Sequence, residues 1–566
     1  MEEIARLISR FLVERGITCI YGLCGGHIQP IWDHAASSGI RIIDVRDEGA
    51  AVHMAHAHSE LTGKLGVAIV TAGPGVTNAI TGIANAYISR VPLLIISGLP
   101  PRPQQHMGAL QEIPHGEVVR PITRYTRTVL CARNVLRELD DAMAWAEGHF
   151  GESGPAFIGF PTDLLRERLP ASLVEQDRFR PKEFPHTLPS SKAIESAVKL
   201  LWSGRRILVI SGRGARNAGE SLKRLLDLFD CVYIDTAESR GLIPQDHPAF
   251  MPAVRGRAIQ EADLVLTVGR SLDYQLGYGS PAVFQNARFV RIGSCSNELR
   301  SNRPGDVEVF GSTSQVLDAM IASAGTHRPK IDQNWVTEMR TLDRERRKHL
   351  QNELTGATLG PDGAMHPYRL LGCVLDILSP DAVVIADGGD ILSFSRIVFS
   401  AGTYLDCGAF GCLGVGVPFG IAASLLYPER QVVVVSGDGS FGFNAIELDT
   451  CRRHGAKTIF IVANNGAWNI ERNDQKISYG GRIVGVELNS CDYAGLARSL
   501  GIHGERVVDP AELPKALKRA FDRAPALLDV LITRDAISPD GLSGLPWVPD
   551  YHALKKWDEM EKKRSY

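Results

Sequence analysis

The chain has 566 residues, of which 44% are hydrophobic and 22% charged, as in ordinary soluble globular proteins. It carries 62 Lys and Arg against 64 Asp and Glu, so its net charge of −2 gives no general attraction to nucleic acid or to an anionic membrane. Small molecules are therefore the expected partners. Because the chain is too long for one hydrophobic core, we expect three domains of roughly 150–200 residues.

Targeting and membrane signals are not expected in this sequence. Residues 1–16 alternate charged and apolar side chains at helical spacing and lack the continuous apolar core of a signal peptide. No stretch reaches the 18 or so apolar residues that a membrane helix requires. We therefore expect a cytoplasmic protein.

Apolar segments of strand length alternate with helix-length segments along the chain. This alternation is typical of doubly wound parallel sheets, so we predict an α/β fold with three consecutive domains. The domains are expected at residues 1–168, 190–325 and 356–535, with a charged, exposed helix at 330–355 and a tail or lid at 536–566. The predicted strands are TCIYGL, RIIDVRD, GVAIVTAG, VPLLIISG and PAFIGFP in the first domain, RRILVISG, CVYIDT, DLVLTVG and RFVRIG in the second, and AVVIAD, QVVVVSGDG, TIFIVANN and ALLDVLIT in the third.

The first and third domains share an internal pattern. GVAIVTAGPGVTNAITGIANAYISRVPLLIISG and VVVVSGDGSFGFNAIELDTCRRHGAKTIFIVAN both consist of a strand, a glycine turn, a helix and a strand at nearly the same spacing. A duplicated scaffold explains the likeness. It predicts one ligand held between two related domains rather than two independent sites.

A glycine turn with one carboxylate follows a strand of the third domain. Gly437-Asp438-Gly439 comes directly after QVVVVS, and Asn465 ends the next strand. Glycines let the backbone approach a phosphate, and the helix that begins here offers free N–H groups. Because a carboxylate in this turn would repel a bare diphosphate, Asp438 indicates a divalent cation, with the Asn465 amide oxygen as a second ligand. The alternative is that Asp438 only caps the helix.

This pattern resembles the thiamine-diphosphate signature, GDG followed after a helix and a strand by NN. Here the interval runs from Gly439 to Asn464. The resemblance implies that thiamine diphosphate is the cofactor and that Mg²⁺ is its metal. It further implies that Asp438, Asn465 and the backbone carbonyl of Ala467 bind the metal.

The segment RIIDVRDEGAAVHMAHAHSELTGKLGVAIVTAGPG resembles the pyrimidine-binding domain of the same family, and Glu48 falls on the family's glutamate. This implies that Glu48 hydrogen-bonds the aminopyrimidine ring, whose imino nitrogen then takes the proton from the thiazolium carbon. Such a carboxyl must be shielded from water, so we expect an apolar setting among Ala50, Ala51 and Val52. Taken alone, Glu48 would be a charge at a helix N-terminus.

The resemblance extends to further cofactor contacts. Leu413, in GAFGCLGVGVP, matches the bulky apolar residue that wedges the cofactor into its bent conformation, although core packing is equally compatible. Gln111, in ALQE, matches a glutamine that points at the reacting centre, with a surface polar role as the alternative. Besides Glu48, Asp438, Asn465 and Ala467, the other positions expected to contact the cofactor are Thr71, Gly73, Asn78, Gly437, Gly439, Ser440 and Trp468.

Because the resemblance covers nearly the whole chain, it also assigns the domains. Residues 1–168 correspond to the pyrimidine-binding (PYR) domain, 190–325 to the central Rossmann-like domain and 356–535 to the diphosphate-binding (PP) domain. This family builds each site from the PYR domain of one chain and the PP domain of another. The resemblance therefore implies a homodimer or homotetramer with sites between subunits.

Several segments bear on which member of the family this is. YGLCGGHIQPIW resembles the part of benzaldehyde lyase that carries an active-site histidine, and His27 falls on it, although a lone loop histidine is more often structural. YLDCGAFGCLGVGVPFGIAAS resembles oxalyl-CoA decarboxylase and 2-hydroxyacyl-CoA lyases more than acetolactate synthases. Trp468 and Glu487 would then line the substrate pocket, with Glu487 as a second base or only a solvated loop charge. Arg213 and lysines of the tail would bind the phosphates of an acyl-CoA.

The resemblance thus implies a lyase dependent on thiamine diphosphate and Mg²⁺. It would cleave the carbon–carbon bond of a 2-hydroxyacyl-CoA into formyl-CoA and an aldehyde or ketone, or form that bond in reverse. The alternatives are a carboligase like benzaldehyde lyase or acetolactate synthase, acting on free acyloins or 2-oxo acids, and a catalytically silent cofactor-binding subunit.

Gly293 stands where an acidic residue usually ends the strand in nucleotide-binding relatives, which argues against ADP or FAD in the central domain.

Overall fold

A computed structural model describes residues 1–181, 187–356, 359–400, 402–489 and 491–538. The residues expected to form a tail or lid, with the lysines assigned to acyl-CoA phosphates, therefore lie almost entirely outside the described residues. No helix within the described ranges is both long and apolar enough to cross a membrane.

The first domain is built on a six-stranded parallel sheet of order β3-β2-β4-β5-β7-β6, beside a short antiparallel pair of β1 and β8. Strands β4, β5 and β7 are buried along their whole length, as expected for a sheet covered by helices on both faces. The elements are β1 (Glu2–Glu3), α1 (Ile4–Glu14), β2 (Cys19–Gly22), α2 (Gln29–Ser37), β3 (Arg41–Asp44), α3 (Glu48–Thr62), β4 (Gly66–Val70), α4 (Pro74–Ser89), β5 (Leu93–Leu99), α5 (His115–Val119), β6 (Tyr125–Thr128), α6 (Val135–Ala146), β7 (Pro155–Pro161), α7 (Thr162–Leu165) and β8 (Arg168–Leu169).

The second domain has a five-stranded parallel sheet of order β10-β9-β11-β12-β13. A long charged helix, α13, follows it and buries only a few side chains, including Trp335 and Met339. The elements are α8 (Ser191–Trp202), β9 (Ile207–Ser211), α9 (Gly219–Leu226), β10 (Val232–Ile234), α10 (Arg255–Glu261), β11 (Leu264–Val268), β12 (Arg288–Gly293), α11 (Ser296–Arg300), β13 (Val307–Phe310), α12 (Thr313–Ala324) and α13 (Gln333–Thr355).

The third domain repeats the architecture of the first, with a six-stranded parallel sheet of order β15-β14-β16-β17-β19-β18. The elements are α14 (Pro367–Ile377), β14 (Val383–Asp387), α15 (Asp390–Val398), β15 (Thr403–Leu405), α16 (Gly416–Leu426), β16 (Val432–Gly437), α17 (Asp438–Asn444), α18 (Leu448–His454), β17 (Ile459–Asn464), α19 (Asn469–Ser478), α20 (Tyr493–Ser499), β18 (His503–Val507), α21 (Leu513–Asp522) and β19 (Ala526–Leu531).

The first and third sheets have the same topology. When the strands of each sheet are numbered along the chain, both read 2-1-3-4-6-5. This identity agrees with the duplicated sequence pattern, and the α/β prediction with parallel sheets is confirmed. In such sheets ligands bind outside the carboxyl ends of the strands, where the strand order reverses. The chain therefore has two equivalent edges at which a ligand can sit.

The first and third domains of the chain pack against each other through α3 and α16, and their apolar side chains join in one core. The His56 ring lies 5.1 Å from that of Phe419, and the His53 ring lies 6.2 Å from it. Burial lowers the pKa of His53 to about 3, so this histidine is a neutral packing residue near pH 7. The contact orients α3, the helix that begins with Glu48.

Candidate active site

Glu48 is the first residue of α3 and follows the edge strand β3. Its side chain is buried, and the Asn78 amide Nδ2 donates to its Oε2 at 3.0 Å. Ala50, Ala51 and Val52 are fully buried. The carboxyl thus lies in a largely apolar setting with one fixed hydrogen bond, a setting suited to a group that holds or passes a proton.

His27 lies in the loop after β2, next to Thr71 at the end of β4. Its Nδ1 is 3.4 Å from the Thr71 hydroxyl oxygen, and its side chain also hydrogen-bonds Gln111. Burial lowers the pKa of His27, and the Gln111 hydrogen bond opposes this only in part. The imidazole is therefore neutral near pH 7 and able to accept a proton.

Gly73 and Gln111 meet at the turn that leads into α4. Gly73 has a φ of 59°, and a Cβ there would lie 2.8 Å from the Gln111 Cβ, so only glycine fits. Its N–H donates to Nε2 of His115 at 2.7 Å. His115 is a residue that sequence reasoning missed, because nothing near it in the sequence distinguishes it from an ordinary loop histidine.

The third domain places Asp438 at the start of α17, at the carboxyl end of β16. Its side chain is buried, and Oδ2 accepts a hydrogen bond from the Gly466 N–H at 2.9 Å. Burial raises the pKa of Asp438 to about 6, and backbone hydrogen bonds such as that from Gly466 oppose the shift. A carboxylate in such a place is stabilised by a cation.

Asn465 and Ala467 stand beside Asp438 at the end of β17. Two backbone bonds hold this segment against residues 486–488: Trp468 N–H donates to Val486 O and Leu488 N–H donates to Gly466 O, both at 2.8 Å. Within the described residues no backbone N–H donates to the carbonyl of Ala467. That oxygen is therefore open to a further partner such as a metal ion.

Leu413 follows β15 in a turn that Asp387 organises. Asp387 is fully buried, and its two carboxylate oxygens accept from the N–H groups of Gly414 at 3.2 Å and Gly416 at 2.9 Å. Asn444 donates to the Gly414 carbonyl at 2.7 Å. The backbone on the C-terminal side of Leu413 is thus fixed, which suits a side chain that wedges a ligand.

One cavity of about 490 Å³ collects the predicted residues of this domain. It opens at the carboxyl ends of β14, β16 and β17 and also touches Tyr274 and Tyr278 of the second domain. All eight predicted cofactor or metal positions of the third domain line it: Leu413, Gly437, Asp438, Gly439, Ser440, Asn465, Ala467 and Trp468.

Gly439 is packed directly beneath Trp468. A Cβ on Gly439 would lie 2.5 Å from Cζ3 of the indole, so Gly439→Ala must displace the ring. Overpacking of this kind costs about 1–3 kcal/mol. We expect Gly439→Ala to lower the free energy of unfolding by that amount in urea denaturation. Gly442→Ala, in the same helix and with no atom within 4 Å of the added Cβ, is the matched control and should change it by less.

Glu487 is not among the residues that line the cavity. Its backbone pairs with Ala467, but its side chain is 59% exposed and lies 3.6 Å from Arg534 and 3.8 Å from Arg472. Two further cavity residues, Glu471 and Arg396, were not anticipated from the sequence. Arg396 forms an ion pair with Asp406 at 2.8 Å.

The two groups of predicted residues lie apart within one chain, and we call each of them a half-site. The first-domain group is Glu48, Asn78, Thr71, His27, Gln111 and Gly73, and none of these residues lines the 490 Å³ cavity. Large apolar side chains are exposed beside both groups. Met107 and Leu110 lie in the chain segment just before Gln111, Phe410 lines the cavity, and the Phe443 ring lies 6.2 Å from that of Trp468. Exposed apolar side chains of this size are common at surfaces that contact a ligand or another protein.

The cavity fits a diphosphate with a bound divalent cation. It offers a buried carboxylate, an amide oxygen, a free carbonyl and backbone N–H groups at the start of α17. Among the described residues no group of three or more His, Cys, Asp or Glu side chains is arranged for a metal. A cation here would therefore rely on cofactor phosphates for part of its coordination, as Mg²⁺ commonly does.

Buried ion pairs lie at the equivalent edge of the central sheet. Arg270, almost fully buried after β11, pairs with Glu238 at 3.2 Å. Glu298 pairs with Arg90 of the first domain at 3.0 Å, and its Oε2 would lie 3.0 Å from a Cβ on Gly293. Separating buried ion pairs such as these is costly.

Arg213 belongs to the same set of buried charges. It lies 2.5 Å from Glu60 of α3, and Arg216 pairs with the same carboxylate. Burial lowers the pKa of Arg213. The structure thus uses Arg213 to join the first and central domains, and does not leave it free for the phosphates of an acyl-CoA as the sequence suggested.

Comparison with known proteins agrees with this geometry. Profiles described as the thiamine pyrophosphate enzyme N-terminal TPP binding domain, central domain and C-terminal TPP binding domain match residues 2–118, 194–320 and 387–530. Thiamine pyrophosphate is another name for thiamine diphosphate. The two matched binding domains contain the two half-sites.

Full-length relatives carry two kinds of name. A "Probable acetolactate synthase" of Mycobacterium bovis is 35% identical over 93% of this chain and 95% of its own length. "2-hydroxyacyl-CoA lyase 2" of Caenorhabditis elegans is 32% identical over 92% of this chain and 87% of its own length. "2-hydroxyacyl-CoA lyase" of Arabidopsis thaliana is 29% identical over 93% and 95%. This chain therefore belongs to the thiamine pyrophosphate enzyme family and is a thiamine-diphosphate-dependent enzyme.

Proposed function

We propose that the enzyme is a Mg²⁺-dependent lyase for 2-hydroxyacyl-CoA esters, releasing formyl-CoA and an aldehyde or ketone, or joining them in reverse. The relatives named as 2-hydroxyacyl-CoA lyases support this assignment. The observation that carries it is a second cavity, lined by arginines, next to the cofactor cavity.

A second cavity of about 720 Å³ adjoins the first. The two cavities share Arg396, and the consecutive residues Tyr274 and Gln275 line the first and the second respectively. Arginines from several elements surround the second cavity: Arg240, Arg255, Arg346 and Arg347. A coenzyme A thioester has its reacting carbonyl at one end of a flexible arm and its phosphates at the other. The phosphates would lie among these arginines.

Bound thiamine diphosphate supplies a nucleophilic carbon and an electron sink. Asp438, Asn465 and the Ala467 carbonyl would hold its metal, and Leu413 would press against the cofactor. Glu48 would exchange a proton with the aminopyrimidine ring. These roles need only groups that already lie in the two half-sites.

A base must remove the proton of the substrate 2-hydroxyl as the carbon–carbon bond breaks. His27 and Glu487 are the two candidates. We favour His27, because its neutral ring can accept a proton and Gln111 and Thr71 orient it. Glu487 is 59% exposed, is not among the residues that line the cavity, and lies 3.6 Å from Arg534.

The half-sites support an assembly of at least two chains. We propose that the Glu48 group of one chain faces the Asp438 cavity of its partner in a homodimer or homotetramer. Apolar side chains exposed beside both half-sites, Met107, Leu110, Phe410 and Phe443, would be buried by this pairing.

Acetolactate formation is the second candidate function, and the relatives named acetolactate synthase favour it. The two candidates differ in substrate. Purified protein with thiamine diphosphate and Mg²⁺ should release an aldehyde or ketone and formyl-CoA from 2-hydroxyacyl-CoA esters. Consumption of pyruvate without coenzyme A, and no cleavage of any ester, would reject the lyase and support acetolactate formation.

The arginines of the second cavity provide a test of the acyl-CoA proposal. Arg346 is exposed on α13, and its guanidinium donates to the Ala253 carbonyl at 2.8 Å. We expect Arg346→Gln to raise KM for the ester roughly 3- to 10-fold with unchanged kcat, the effect of losing about 1 kcal/mol of phosphate attraction. Arg344→Gln removes the same charge from α13 outside the cavity and should leave KM unchanged.

A further inference from the structure

Glu447 is a buried carboxylate of the third domain whose hydrogen bonds reach into the first domain. It lies between α17 and α18, and its side chain is fully buried. Its Oε1 accepts from the N–H groups of Arg46 at 2.9 Å and Asp47 at 3.0 Å. Its Oε2 accepts from the Thr450 hydroxyl at 2.5 Å. The two amides it holds come immediately before Glu48.

These bonds act where the direction of α3 is set. The Asp47 side chain caps the helix by accepting from Gly49 N–H at 2.8 Å. Among the described residues, Glu447 is the acceptor for the N–H groups of both Arg46 and Asp47. Removing it would leave two donors at a partly buried place without their partner, so the segment before Glu48 would have to move to find water.

The neighbouring contacts between the same two segments are exposed or partly buried. Arg453 pairs with Asp44, His454 Nε2 lies 2.9 Å from an Asp44 oxygen, and Arg46 lies 3.3 Å from Asp449. Exposed ion pairs contribute little and are screened by salt. These ion pairs join the two domains but do not involve the N–H groups of Arg46 and Asp47. Removing one of them therefore tests the effect of a lost contact between the domains while the two amide hydrogen bonds stay in place.

We propose that Glu447 is a positioning residue for Glu48: by holding the Arg46 and Asp47 amides it fixes the carboxyl where proton exchange with the cofactor takes place. The inference rests on the proposed role of Glu48. Proton transfer requires hydrogen-bond distance, and a displacement of about 1 Å can cost roughly 100-fold in rate. Glu447 itself need not contact the cofactor.

The first test does not require cofactor. Amide hydrogen exchange in the full-length protein is compared for wild type, Glu447→Leu, Glu447→Gln and the control Arg453→Gln. Glu447→Leu should speed exchange at Arg46 and Asp47, whereas Glu447→Gln, which keeps an acceptor oxygen, and Arg453→Gln should not. Unchanged protection in Glu447→Leu would overturn the inference.

The second test measures deuterium exchange at C2 of the bound thiazolium, with Glu48→Gln as the reference. Glu447→Leu should slow this exchange at least 10-fold with cofactor affinity within about 3-fold of wild type, and Glu447→Gln should restore it. If C2 exchange is slow in Glu48→Gln but as fast as wild type in Glu447→Leu, the role of Glu447 is overturned and that of Glu48 stands. Wild-type exchange in Glu48→Gln would overturn the role of Glu48 as well. If Glu447→Leu does not fold, Glu447→Asp, which withdraws the acceptor by one methylene, takes its place.

Discussion

Glu48→Gln is expected to lower kcat about 10²- to 10⁴-fold, the usual contribution of one general acid or base. The carboxyl is buried and hydrogen-bonded to Asn78 at 3.0 Å, so glutamine fits the same space and keeps the acceptor oxygen. What it loses is the ability to take and return a proton. Cofactor affinity should therefore stay within a few-fold of wild type.

Steady-state kinetics and a titration of thiamine diphosphate followed by protein fluorescence check this result. Glu117→Gln is the control, since it makes the same change on an exposed side chain of the same domain that pairs with Arg120. Full turnover in Glu48→Gln would show that another group primes the cofactor.

Asp438→Asn is expected to weaken Mg²⁺-dependent binding of thiamine diphosphate by roughly 100-fold or more. Changing a residue that only supports a metal ligand costs about 10- to 100-fold in metal affinity, so removing the charge of a direct ligand should cost at least as much. The buried oxygen of asparagine can still accept from the Gly466 N–H, which keeps the turn intact. The expected loss is thus one of charge rather than of fold.

Binding titrations with and without Mg²⁺ check this second prediction. Asp376→Asn, on an exposed carboxylate of α14, serves as the control. Affinity in Asp438→Asn equal to that of wild type would remove Asp438 from the metal site. If a chelator does not weaken binding of thiamine diphosphate to the wild-type protein, no metal takes part in that binding.

The sequence predicted all of the inner strands of the three parallel sheets but only two of their six edge strands, β3 and β10. β6, β13, β15 and β18, which read YTRT, VEVF, TYL and HGERV, each lie last in their sheet. An edge strand pairs on one side only and is partly exposed, so it needs no continuous apolar run. The inner strands are covered on both faces, and their apolar runs are unmistakable.

The site residues divide in the same way. The placement of Asp438 and Asn465 in one cavity was predictable, because both residues follow strands of one parallel sheet within a short span of sequence. Arg396, His115 and Glu447 were not, since each acts through contacts with segments distant in the chain. Arg213 was misread, because a cation in a glycine turn suggests a phosphate, and the sequence does not reveal that Glu60 already pairs with it.

Each chain carries two half-sites, and we propose that an active site forms only where the Glu48 half-site of one chain meets the Asp438 half-site of another. Differently tagged Glu48→Gln and Asp438→Asn chains, coexpressed and purified as mixed dimers, test it directly. If Glu48 of one chain serves the cavity of the other, one site of each mixed dimer is intact and the other carries both changes. Mixed dimers should then show about half of the wild-type activity per dimer. If each site lay within a single chain, every site would carry one defect and the mixed dimers would be inactive, which would contradict the claim.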